Sequence, residues 1–214
     1  MKTFLHRFLV ASGLLLVAAC LPAKSDAVAE LKAATADIKD EHDRLAVQSA
    51  LAAFDESEKV DAFFAKSYGV VIFPTVGKGG IGVGGAHGSG WGFRRGKFDG
   101  TSKMTQVTIG FQLGGQAFSQ VLFFETETDF NRFTTGNFEL GAQASAVALT
   151  AGANAQASTS GGANAGANAG ASNSSQAKTT YADGIAIFTM AKGGLMYEAS
   201  VGGQKFSYHT EPKK

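Results

Sequence analysis

The sequence predicts an α+β fold in which N-terminal helices pack on a mainly antiparallel, curved or barrel-like β-sheet. Three observations lead there. From Lys24 to about Lys66 apolar residues recur at helical spacing. After Tyr68 the period becomes that of strands, in apolar or alternating runs. Helical and strand segments do not alternate regularly, so the pattern lacks the βαβ units of a parallel sheet. Barrel closure is not readable from the pattern.

In the helical region Val28, Leu31, Thr35, Ile38, His42 and Leu45 form one stripe, with Ser25 or Asp26 placed to cap its start. A second helix carries Val47, Leu51 and Phe54. The chain breaks at Asp55-Glu56-Ser57, and a third short helix turns Val60, Phe63 and Phe64 inward. Gly69 to Phe73 reads as a buried strand ended by Pro74. From Gly79 to Phe93 glycine alternates with other residues, which suits a strand passing very near another element. Met104 to Leu113 alternates, with Val107, Ile109, Phe111 and Leu113 on one face and Gln106, Thr108 and Gln112 on the other. Val121 to Phe124 is a further strand. Thr126 caps a helix carrying Phe130 and Phe133, and Gly136 stops it. Three more strands are expected near Phe138 to Leu149, Gly184 to Met190 and Gly194 to Val201, and Gln204 to Tyr208 closes the sheet. Between Ala151 and Lys178 the composition collapses to Ala, Gly, Asn, Ser and Thr. Residues 151–178 therefore read as a weakly ordered insertion, or as edge strands extending a hairpin.

The N-terminus sets the expected compartment. Lys2, His6 and Arg7 precede an apolar run from Phe8 to Val17 that is too short to span a bilayer. Val17-Ala18-Ala19-Cys20 has the layout of a lipobox, in which the cysteine is acylated and becomes the new N-terminus. Residues 1–19 then form the signal peptide, residues 20–44 a tether and helix, and residues 45–214 the domain that holds the insertion. Cys20 is the one cysteine of the chain, so no internal disulfide can form. The alternative is an ordinary signal peptide with a stray cysteine near its cleavage site. Leu21 follows, where an aspartate would suggest inner-membrane retention, so the expected location is the outer membrane, facing the periplasm. Removal of residues 1–19 takes Lys2 and Arg7 from the 19 basic residues and nothing from the 18 acidic ones. The net charge near −1 argues against nucleic acid as a partner.

Motifs for chemistry are weak. Gly80-Ile81-Gly82-Val83-Gly84-Gly85 matches G-x-G-x-x-G, but the residues that follow are poor helix formers and a dinucleotide site needs a helix there. His87 and Ser89 lie two apart on a strand and share a face, without a convincing third member for a triad. His42, His87 and His209 are too scattered to suggest a metal site. No catalytic residue, metal or cofactor is expected. The basic residues are more informative: Lys78 follows the Pro74 turn, and Arg94, Arg95 and Lys97 follow Trp91 and Phe93. Rings beside cations suit a headgroup-level membrane contact. They suit equally a solvated hairpin tip whose aromatics belong to the core.

The runs Tyr68–Pro74, Lys78–Gly90 (KGGIGVGGAHGSG) and Gly193–Gly202 (GGLMYEASVG) resemble the SYLF-domain family, over roughly Leu45 to Tyr208. That family has eukaryotic members that bind phosphoinositides, some of which bind actin, and many bacterial lipoprotein members. The resemblance implies lipid binding, with Lys78 at the family's motif lysine and Arg94 and Arg95 where a basic residue often follows the Gly-rich strand. The N-terminal helix is mixed in charge (Glu30, Lys32, Asp37, Lys39, Asp40 and Glu41), whereas an interfacial helix wants a basic polar face. The expectation is a non-enzymatic envelope lipoprotein that binds a phospholipid membrane. Lys78, Arg94, Arg95 and Lys97 would meet anionic phosphate, and Trp91 and Phe93 the apolar boundary. The alternative is a structural or scaffolding lipoprotein that binds another envelope protein. Actin is not an expected partner of an exported bacterial protein.

Overall fold

The structure, a computed structural model, describes residues 26–140, 147–149 and 180–212. The signal segment, Cys20, the tether up to residue 25 and the insertion at 151–178 lie outside the described residues. Side-chain surroundings are described for fewer residues still, with 110–112, 147–149 and 194–202 excluded.

Three helices precede the sheet: α1 (Asp26–Ala34), α2 (Glu41–Asp55) and α3 (Glu58–Lys66). A 3-10 turn at Thr35–Asp37 ends in extended backbone at Ile38, and Asp40 caps α2 by accepting from the Asp43 N–H at 2.9 Å. This break corrects the expected stripe. Val28, Leu31, Thr35 and Ile38 are buried, but His42 and Leu45 are exposed, because α2 starts afresh and buries Val47, Ala50, Leu51 and Phe54 instead. The expected boundary at residue 45 therefore falls inside α2.

The strands are fewer and much longer than the pattern predicts. β1 (Gly69–Arg94), β2 (Lys97–Phe124) and β5 (Ile185–Thr210) form one antiparallel ribbon in the order β1-β2-β5. Short β3 (Asn137–Leu140) pairs antiparallel with the end of β5, and β4 (Val147–Leu149) runs parallel to its start. The residues expected to end strands produce irregularities inside them. Register shifts fall between Phe73 and Val76, around Pro74, between Ile81 and Val83, and between Ala117 and Phe118. A bulge keeps the ladder going while bending it. The sheet is thus curved, and its described strands do not close into a ring.

The ribbon folds back on itself. At the bend, a Cβ on Gly80 would collide with the backbone of Gly84, and Gly82 between them has φ 72°. Beyond it the inner glycines of β1 face side chains from the other half. A Cβ on Gly88 would meet Val76, and one on Gly90 would enter the Phe73 ring. The alternating glycines make room for rings and carry no phosphate-binding turn. Between the halves lie Phe73, Met104, Leu122, Phe124 and Phe206, closed at one side by α4 (Glu127–Thr134) through Phe130 and Phe133. Thr126 and Asp129 form the predicted cap as a reciprocal box, and Gly136 (φ 118°) ends that segment. Outside, α1–α3 cover a second core that holds Phe54, Phe63, Val70, Ile72, Trp91, Phe93, Phe123 and Phe188.

One polar group is sealed between the halves. Gln120 is fully buried and exchanges amide hydrogen bonds with Gln204 at 3.1 and 3.2 Å. The Gln204 amide also donates to Gln106 at 3.2 Å.

Candidate functional site

The predicted site residues fall in different places. β1 and β2 join through a two-residue turn, Arg95-Gly96, with φ 47° and 74°. Two positive φ values suit a hairpin of the primed type. Arg94 and Lys97 flank it as a pair.

Arg94 is half-buried and turned to the inner face of β1. Its Nε donates to Asp99 Oδ1 at 2.8 Å and its Nη1 to Asn131 Oδ1 at 2.8 Å. The guanidinium lies 4.7 Å from the Phe130 ring centre. Burial disfavours its charge, but hydrogen bonds and charge from Asp99 and Tyr68 outweigh this and hold its pKa above the ordinary value. The other Asp99 oxygen accepts from the Tyr208 hydroxyl at 3.0 Å. Burial, then the Asp99 charge, push the Tyr208 phenol far above its usual range. Arg94, Asp99 and Tyr208 are thus a partly buried polar lock between β1, β2 and β5, tied to α4 through Asn131.

Trp91 and Phe93 are 7% and 0% exposed and sit in the core under the helices. The expected boundary role needs rings at the surface, so the structure corrects it in favour of the core alternative. They are odd-numbered positions on the outer face of β1, the face that α1–α3 cover. Arg95 and Lys97 are exposed. The Arg95 guanidinium lies 4.9 Å from the Tyr68 ring centre, and the Arg95 backbone N–H donates to the Tyr68 carbonyl at 2.9 Å. Lys78 is elsewhere. It pairs with Gln116 beside the bend, near the level of Ala86 in the facing half. At about 3.3 Å per residue that is roughly 25 Å from Arg94. Arg95 and Lys97 share the turn, and Lys78 does not join them.

Two features lay outside the prediction. A cleft of about 280 Å³ opens between α1, α3 and the turn, floored by Leu31, Phe64 and Phe93 and edged by Glu30, Tyr68 and Arg95. The Glu30 carboxylate stands where a Cβ on Gly96 would be. At the opposite end, the alternation of β2 is inverted from the usual sense. Val107, Ile109 and Leu113 face solvent, while Gln106 is half-buried and Thr108 is 1% exposed. Ile81 and Val83 of β1 are exposed beside them. The alternation of β2 separates the two faces in sequence but carries no signal for which of them is buried.

His87 and Ser89 are exposed on the outer face of β1, opposite Thr105 and Lys103. Asp40, His42 and Asp43 gather at the start of α2, all near the surface, with Asp40 already used as the cap.

No curated protein matches the chain. A family model does, over residues 105–212, from β2 through α4 to the end of β5. Its description is "Ysc84: Las17-binding protein actin regulator", and it takes in Gly193–Gly202, the last of the runs that carried the resemblance. With half of its length matched, the chain belongs to the Ysc84 family, the SYLF-domain family that its glycine-rich runs indicated.

Proposed function

We propose that this protein is a non-enzymatic phospholipid-binding lipoprotein of the bacterial cell envelope. Cys20 carries the acyl anchor, in the outer membrane facing the periplasm, and the Arg95-Lys97 turn meets anionic headgroups beside it. The observation that carries this reading is the placement of the turn. Arg95 and Lys97 are exposed where α1 packs, with Glu30 against Gly96, and α1 begins six residues after Cys20. Six extended residues reach about 20 Å, so acyl chains on Cys20 would hold the turn close to a leaflet. The cations there supply local attraction that the net charge near −1 does not.

The test is co-sedimentation of the unacylated chain beginning at Leu21 with phosphatidylcholine vesicles, with and without phosphatidylglycerol, at low and high salt. Binding to the anionic vesicles that weakens with salt, and that falls in Arg95→Glu/Lys97→Glu, is expected. Undiminished binding by that variant would remove the turn from the site.

A scaffolding role is the second reading, favoured by one feature, the cleft of about 280 Å³ whose apolar floor and charged rim suit a peptide side chain. Its family's description names a protein partner, Las17, and actin regulation. In an envelope protein the corresponding partner would be another envelope protein, and in-cell crosslinking from Glu30 or Arg95 to one dominant neighbour would support it. Actin, nucleic acid and cofactors have no part in either reading.

A further inference from the structure

Among the described residues six large apolar side chains are exposed, and five of them stand together on the bend: Ile81, Val83, Val107, Ile109 and Leu113, each between 52% and 81% exposed. Ile81 pairs directly with Leu113 and Val83 with Ile109, while Val107 stands opposite Gly85, two residues beyond Val83. Directly paired side chains in a sheet touch, so these residues form one patch. Isolated exposed aliphatics are ordinary, but a contiguous patch marks a surface that something covers.

The chain's own segments are poor covers. Helices α1–α3 are committed to Val70, Ile72, Trp91 and Phe93. The stretch from 150 to 179 contains no apolar side chain larger than alanine.

Charge identifies the occupant. Residues 76–98 and 100–124 contain no aspartate or glutamate, and in β5 the one acid is Glu198, opposite Gln112 in the register. Two lysines flank the patch. Lys103 is exposed and lies on the same face of β2, four residues before Val107. Lys192 lies beside the bulge at Ala117, its Nζ donating to the Pro74 carbonyl and to Thr75 Oγ1, each at 3.0 Å. Lys78 stands beside the bend but is half-buried on the inner face of β1, away from the patch. A second copy docked on the patch would bring two cations of its own and almost no carboxylate to meet Lys103 and Lys192, which disfavours self-association. An aliphatic patch flanked by two lysines, with almost no carboxylate, instead matches the acyl boundary of an anionic leaflet.

We propose that the bend is a second lipid-contacting surface, in which the five aliphatic side chains enter the acyl boundary while Lys103 and Lys192 stay at phosphate level. It shares its ligand class with the proposed function but uses none of the turn residues. Gly82 and Arg95 are thirteen positions apart, nearly all of them in β1, about 40 Å at 3.3 Å per residue. One molecule therefore has a lipid contact at each end of its ribbon.

The test uses the chain beginning at Leu21 and mixed phosphatidylcholine–phosphatidylglycerol vesicles. Ile81→Ser/Ile109→Ser is expected to lose tenfold or more in vesicle affinity while its urea midpoint stays at the parent value. Ile81→Trp is expected to shift its emission to the blue on binding and to be quenched by lipids brominated in the acyl chains, and the buried Trp91 serves as its constant background. Unchanged affinity in the serine variant together with an unquenched Ile81→Trp would overturn the proposal. So would a parent that is dimeric in solution and becomes monomeric in the serine variant, because a second copy would then be the cover. The turn is tested separately. Quenching at Ile81 with no effect of Arg95→Glu/Lys97→Glu keeps the bend and discards the turn, and the reverse result discards the bend alone.

Discussion

The two ends of the ribbon are built from the same three strands, in one ladder interrupted by bulges, yet they solve opposite problems. At the turn end the outer face bears Trp91 and Phe93, covered by α1–α3, and the inner face holds the Arg94–Asp99–Tyr208 lock. At the bend the outer face bears bare aliphatics and the inner face bears amides. Strand periodicity assigns residues to two faces but does not say which face is wet. Helix cover decides that, and the helices stop short of the bend.

The comparison can be broken most forcefully at the lock. Asp99→Ala leaves a partly buried guanidinium and a buried phenol without their acceptor. Loss of one partner costs about 3–5 kcal/mol in a fully buried pair; here the cost is smaller, because Arg94 is partly exposed and keeps Asn131, and it is to be read as a lower urea midpoint. The same lock sets an alkaline limit. The folded state keeps Tyr208 neutral, because burial and the Asp99 charge oppose its ionisation. The unfolded chain ionises its tyrosines near the usual phenol pKa of about 10. Below that pH the contribution of Tyr208 to stability is complete, and as pH rises further it is lost by up to about 1.4 kcal/mol per pH unit. Tyr208→Phe should flatten the fall in stability above this range in pH-dependent unfolding.

The bend itself should be less sensitive. Gly82→Ala asks an L-residue to hold φ 72° in open space, a cost of about 1–2 kcal/mol. The smallest stability effect is expected at its surface, where Ile81→Ser/Ile109→Ser should stay within about 0.5 kcal/mol per residue of the parent. A large loss there would mean that the aliphatics support the fold and are not a free surface.

Much of this architecture was legible. Helices at Val47–Phe54 and Val60–Phe64, the Thr126 cap and the close approach at Gly79–Phe93 follow from spacing and residue type alone. The strand count did not, because Pro74 and the paired glycines signal turns locally, whereas ladder pairing over the whole ribbon turns them into bulges. Among the site residues, Arg95 and Lys97 were legible as exposed cations. The fate of Trp91 and Phe93 was not, since an aromatic pair beside cations fits a core edge as well as a membrane edge. The bend patch needed the long-range pairing of Ile81 with Leu113 and Val83 with Ile109, which no local window contains.

The trio of Gln106, Gln120 and Gln204 has a consequence for how the chain finds its alignment. Three strands of 26 to 28 residues, rich in glycine near their middles, have many near-equivalent ways to pair. A slip of two residues keeps every side chain on its proper face, so hydrophobic sorting alone punishes it weakly. The amides do punish it. Gln106 and Gln204 are ladder partners in one half, and the fully buried Gln120 bonds Gln204 from the other, so a slip on either side separates donors from acceptors in a partly buried site. Each group left unpaired costs about 1–3 kcal/mol, so three side chains act as an alignment check on the whole ribbon.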